Sequence, residues 1–171
     1  QRILHEIVRA DAEKIDFAGE PVCEQRGRRN FDHNAGFDPF RDRLSRLVRC
    51  RIAEGRAPVF VTVHSFTPVY FGKPRAVEIG ILHDEDSRLA DAMLAAAGRG
   101  DSLYDVRRNE PYGPEDGVTH TLREHGLANG LLNVMIEIRN DLIEDEVGQG
   151  VVADYLTGLF LESLPGAGRQ E

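Results

Sequence analysis

A chain of 171 residues, 41% hydrophobic and 29% charged, is long enough for one folded domain and too apolar to be disordered. Its formal net charge of -8 disfavours nucleic-acid binding, and no basic stripe interleaved with aromatics is present. No apolar run approaches the ~18 residues that a membrane span requires. Cys23 and Cys50 are isolated and lack C-x-x-C spacing, which fits a reduced compartment, so a cytoplasmic location is expected. Lys14 and Lys73 are the only lysines among 21 basic residues. That arginine excess, with much Ala and Gly, suggests a GC-rich bacterial gene. The first residues lack both a signal-peptide segment and an initiator Met, so a trimmed or missing start is expected.

In chain order, Ile3, Leu4, Ile7 and Val8 predict a short amphipathic helix over residues 1–15. Residues 16–36 read as a loop rich in glycine and charge. Asp38-Pro39 opens a helix with Phe37, Phe40, Leu44, Leu47, Val48 and Ile52 on one face, and Gly55 ends it. Val59 to Val63 form a buried strand that runs into His64-Ser65. After a loop over 67–74, a strand over 76–82 and a helix from Asp86 or Ser87 to Ala97 follow. A third strand is expected over 103–106, a polar loop over 107–118 and a helix over 119–128. A fourth strand covers 132–138. The last helix covers about 141–164, with Leu142, Val147, Val151, Tyr155, Leu156, Leu159 and Phe160 as its apolar set. Residues 165–171 read as a frayed tail. Alternating strands and helices predict an α/β class with a mostly parallel sheet flanked by helices.

Three places could carry chemistry. His64 stands at the carboxyl end of its strand, where open α/β sheets place ligands. It could bind a metal, move a proton or simply cap the strand. Glu137 interrupts an otherwise apolar strand, and a carboxylate there is costly to bury unless paired or used. Alternation puts Met135, Glu137 and Arg139 on one face. Glu137 is either the partner of Arg139 in an ion pair or a general base. Asn109-Glu110-Pro111-Tyr112 presents an amide, a carboxylate and a phenol, as a turn or as a substrate-holding loop. His83, His120 and His125 read as surface or local structural residues. There is no H-E-x-x-H, G-x-S-x-G, P-loop or G-x-G-x-x-G.

Taken together, three segments resemble the N-formylglutamate amidohydrolase family. They are His64-Ser65-Phe66-Thr67-Pro68-Val69-Tyr70, Asn109-Glu110-Pro111-Tyr112 and Ile136-Glu137-Ile138-Arg139-Asn140-Asp141. Phe37-Asp38-Pro39-Phe40 and Thr119 to Gly126 fit as well. The resemblance covers about residues 37–160 of a single domain, with 1–36 atypical. It implies a three-layer αβα, zinc-carboxypeptidase-like fold with a mixed, mostly parallel sheet, as in phosphorylase/hydrolase-like proteins.

The resemblance further implies hydrolysis of a linear amide in an N-acyl amino acid, with N-formyl-L-glutamate giving formate and L-glutamate. His64 would be a zinc ligand and Glu137 the general base on the zinc-bound water. Arg139, Asn109, Tyr112 and Ser65 would hold the substrate. The expected partner is thus a small N-acyl amino acid, with neither nucleic acid nor membrane. The family's first two zinc ligands have no counterpart in residues 1–36, where His5 and His33 lack the family's context. The chain is therefore expected to lack the N-terminal part of the domain. The alternative is a non-catalytic remnant that binds acyl-amino-acid-like ligands without a complete metal site.

Overall fold

The computed structural model describes residues 39–99 and 102–167. The helix expected over 1–15, the loop over 16–36 and the Asp38 cap lie outside the described residues. The chain falls into two compact units that part after Pro58.

In the first unit, Pro39–Ala53 form α1. Pro39 is its first residue, where a missing N–H costs nothing. The helix stops at Gly55, whose φ of 73° is left-handed. The Gly55 amide donates to the Ile52 carbonyl and the Arg56 amide to the Arg51 carbonyl, which satisfies the last turn. The apolar face is narrower than its spacing suggests: Val48 is buried, but Leu47 and Ile52 are exposed.

The second unit is built on a four-stranded sheet. Its strands are β1 (Phe60–Phe66), β4 (Ile79–Leu82), β5 (Val106–Arg108) and β6 (Asn133–Arg139). Strand β6 pairs parallel with β1 and antiparallel with β4, and β4 pairs parallel with β5. The sheet is therefore mixed, with two of its three junctions parallel. A small antiparallel hairpin, β2 (Val69–Tyr70) and β3 (Lys73–Pro74), interrupts the expected loop over 67–74. Helices α2 (Arg88–Ala97) and α3 (Glu146–Ala167) complete the unit. No described helix is long and apolar enough to cross a membrane.

Register separates two sheet faces. Ile79 pairs with Ile138 and Ile81 with Ile136, and all four are buried. Arg108, on this same face, donates to Asp91 of α2 at 2.5 Å, so α2 covers it. Helix α3 packs on α2, and its Val152, Leu156 and Leu159 are buried. The opposite face carries Thr62 and His64 of β1, Met135 and Glu137 of β6, and Gly80 of β4.

Several elements depart from the sequence expectation. Strand β1 is not buried throughout: only Phe60 and Phe66 are, because it pairs with β6 alone among the described strands. Strand β5 starts at Val106 rather than Leu103. Its arginines are tolerated because it has one strand neighbour, so Arg107 can pair with Asp105 and Glu110 off the sheet's edge. The helix expected over 119–128 is a wide turn over Leu122–Gly126 that tightens over Leu127–Asn129. Gly126 lies so close to Asn133 that a Cβ would press on its side chain, so this segment follows the sheet rather than a helical period. The last helix is preceded by a short tight turn, Asn140–Ile143, and runs through Pro165 to Ala167. Its buried stripe is Val152, Leu156, Leu159 and Ser163, while Val147 and Val151 are exposed.

This stripe is testable by urea unfolding. Leu156→Ala empties a fully packed position and should cost about 2–5 kcal/mol. Val147→Ala, at an exposed position, should change stability by no more than about 0.5 kcal/mol. Equal effects would place the stripe wrongly.

Candidate active site

The site grows from register. His64 on β1 pairs with Glu137 on β6, and Glu137 pairs on its other side with Gly80 on β4. Paired residues of adjacent strands project to the same face, so His64 and Glu137 are neighbours above the sheet. Between strands on both sides, Glu137 is only 6% exposed. Burial pushes its carboxyl up to about 7, and the Arg75 cation opposes that rise only in part. Among the described residues its Oε2 atom has no hydrogen-bond partner, and neither does the buried Oγ1 of Thr62 on the same face. A buried carboxylate oxygen without a partner is what a base awaiting a proton needs, and it is costly otherwise. His64 is exposed along its strand, yet partial burial lowers its pKa, which favours the neutral ring at pH 7.

Gly80 lets the roof close over this floor. A Cβ at Gly80 would overlap the carbonyl oxygen of Glu110. The chain leaving β5 therefore turns back across the sheet on the Glu137 face. Asn109 makes the turn with a φ of 48°, a left-handed conformation that Asn tolerates, followed by a cis Glu110-Pro111 bond. The Asn109 Oδ1 accepts from the His83 amide at 2.9 Å, so its side chain is spent on holding the turn. Tyr112 arrives at the far end, and its hydroxyl accepts from Arg75 Nη1 at 3.2 Å.

The two arginines do different work. Arg139 does not pair with Glu137. Its Nη2 donates to Glu78 at 3.1 Å, its Nε to Asp141 at 2.8 Å and its Nη1 to the Ala76 carbonyl at 3.2 Å. Arg75 lies 4.4 Å from the Tyr70 ring centroid, 5.1 Å from that of Tyr112 and 5.5 Å from that of Phe66. It also lines an open groove of about 530 Å³ with Tyr70, Lys73, Glu110, Tyr112 and Asp116.

Of the predicted residues, the fold thus brings together His64, Glu137 and the loop that carries Tyr112. Ser65 alternates onto the other face, with Val61 and Val63. Asn109 and Arg139 lie at the margins, engaged with protein groups. His83 accepts from Arg108 at 2.8 Å, His125 packs 5.9 Å from the Phe60 ring, and His120 sits 3.3 Å from Glu124. Sequence reasoning missed Thr62, Arg75 and Gly80. Gly80 had a signal, since a lone glycine within a strand marks a close backbone approach. Arg75 had none.

For zinc, the described residues fit only in part. The ring of His64 can supply one ligand, but no group of three His, Cys, Asp or Glu side chains among the described residues could hold a metal ion. A catalytic zinc site takes about three.

Two outcomes follow from this geometry. Gly80→Ala should cost about 1–3 kcal/mol of stability in urea unfolding; an unchanged midpoint would mean that the loop does not lie over Gly80. Glu137 is held above the ordinary carboxylate value of 4.5, so below that pH it costs no stability. The cost grows as the pH rises and is complete above about 7. Glu137→Gln should therefore stabilise the chain at pH 8 relative to pH 4.5, by roughly 2–3 kcal/mol in urea unfolding. A mutational effect independent of pH would contradict the burial.

No curated protein matches the sequence. A solved structure, described as the crystal structure of gene product Atu2144 from Agrobacterium tumefaciens, is similar at 62% identity with a TM-score of 0.72. The match covers 74% of this chain and 50% of that one, so the chain spans about half the length of that relative. Residues 13–144 match the N-formylglutamate amidohydrolase family, a span that includes His64, Gly80, Asn109 to Tyr112 and Glu137. The chain belongs to the N-formylglutamate amidohydrolase family.

Proposed function

We propose that this chain carries the general base and part of the binding surface for hydrolysis of an N-acyl amino acid, with N-formyl-L-glutamate giving formate and L-glutamate. The observation that carries this reading is the buried Glu137 carboxylate, with Oε2 unpartnered beside His64. A carboxylate with a pKa near 7 can both take and return a proton at neutral pH. Glu137 takes a proton from water as its oxygen attacks the acyl carbon. The resulting tetrahedral species collapses, the C–N bond breaks, and Glu137 returns the proton to the leaving amine. Formate and the free amino acid result, and the base is restored.

Family membership carries the expectation of zinc, with His64 as the one ligand named here. When bound, zinc would lower the pKa of water and polarise the acyl oxygen. The proton transfers assigned to Glu137 stand on its own burial and geometry. Tyr112 and its loop bound the space above the base. In the same scheme Arg139 acts at a distance, by fixing the 75–76 backbone.

Formate release from N-formyl-L-glutamate, measured with and without added zinc, tests the reading. Glu137→Gln should lower kcat by at least about 100-fold while the fold persists. The wild-type rate should rise with pH through about 7, as the base loses its proton. Full activity in Glu137→Gln would exclude the role. Clear ligand binding without hydrolysis or zinc uptake would instead support a binding module.

A further inference from the structure

We infer that Arg75 is the carboxylate anchor of this site and that it selects ligands bearing a free carboxylate, a role that rests on the acyl-amino-acid reading above. Its guanidinium lies close to three rings, Phe66, Tyr70 and Tyr112. Phe66 lies on the His64 face of β1, two residues further along. Tyr112 follows the backbone that crosses Gly80 beside Glu137. The rings therefore hold the cation at the edge of the Glu137 floor, facing the groove it helps to line.

Among the described residues, both hydrogen bonds of its side chain come from Nη1, to the Tyr112 hydroxyl at 3.2 Å and the Thr67 carbonyl at 3.3 Å. No carboxylate among the described residues pairs with Arg75, although the other arginines of the sheet each have at least one: Arg107 with Asp105 and Glu110, Arg108 with Asp91, Arg139 with Glu78 and Asp141. Among the described residues nothing bonds to the Nε and Nη2 edge of Arg75, which leaves it for a ligand. A planar fork fixed by stacking loses little entropy on binding and matches a carboxylate with two parallel hydrogen bonds.

Arg139 supports this arrangement without touching the ligand. Its Nη1 donates to the carbonyls of Ala76 at 3.2 Å and Arg75 at 3.5 Å, and its other nitrogens are tied to Glu78 and Asp141. It is a positioning residue for the Arg75 backbone. The amide to be cleaved then lies toward Glu137 while the carboxylate lies toward the groove.

Calorimetric titration with glutarate and with glutaramide, its uncharged diamide, tests the assignment. Wild type should bind glutarate at least about tenfold more tightly than glutaramide, and Arg75→Met should remove that difference. Arg75→Lys, which keeps the charge and loses the fork, should fall between the two and guards against a folding defect in Arg75→Met. Wild-type affinity for glutarate in Arg75→Met, or no wild-type preference for glutarate, overturns the anchor. Hydrolysis of N-formyl-L-glutamate on the same proteins separates the two readings. Glutarate binding through Arg75 without any hydrolysis keeps the anchor and removes the catalytic role. Hydrolysis with an unchanged KM in Arg75→Met keeps catalysis and removes the anchor.

Discussion

The site depends on one unfavourable burial: the Glu137 carboxylate, set into a sheet with strands on both sides. An ionised carboxylate in such a place is stable only if it is paired or hydrogen-bonded. Among the described residues one oxygen has neither, and burial raises the pKa instead. The surrounding sequence arranges that condition. Parallel pairing sets His64 beside the carboxylate, and antiparallel pairing sets Gly80 on the other side. The missing Cβ of Gly80 admits the backbone at Glu110, which carries Tyr112 toward Arg75.

The buried Ile79, Ile81, Ile136 and Ile138 on the opposite face make this strain bearable. With α2 and α3 behind them, they supply the apolar burial that lets one position on the other face go unpaired. Fold and chemistry thus share strand β6: its even face binds the helical layer, and its odd face, through Met135 and Glu137, floors the site.

Much of this was legible in the sequence. The apolar run from Val134 to Ile138, broken only by Glu137, announced a strand with a costly carboxylate, and the valine-rich run announced the strand that carries His64. Periodicity reports the spacing of apolar residues but not which neighbour covers them. It therefore assigned Val147 and Val151 to the core of α3, where they are exposed. Ser65 was assigned to the site by the family resemblance, and it alternates onto the other face. Arg139 was legible as a cation near Glu137, but apart from Asp141 its partners, Glu78 and the carbonyls of residues 75 and 76, are more than sixty positions away in sequence. Arg75 was invisible for a different reason: Phe66 and Tyr70 are close in sequence, but only the fold of β1 and β2 turns their rings onto it, and Tyr112 comes from the loop after β5. Family membership makes amide hydrolysis the chemistry proposed for the assembled face, and among the described residues His64 is the one metal ligand proposed.

The central claim is that Glu137 is a buried base poised near neutrality. The most direct measurement is the titration of its side-chain carboxyl carbon by NMR in a carbon-13-labelled chain, assigned through the signal lost in Glu137→Gln. A midpoint at about 7 is expected. A midpoint at the ordinary 4.5 would show a solvated or paired carboxylate and would contradict the account.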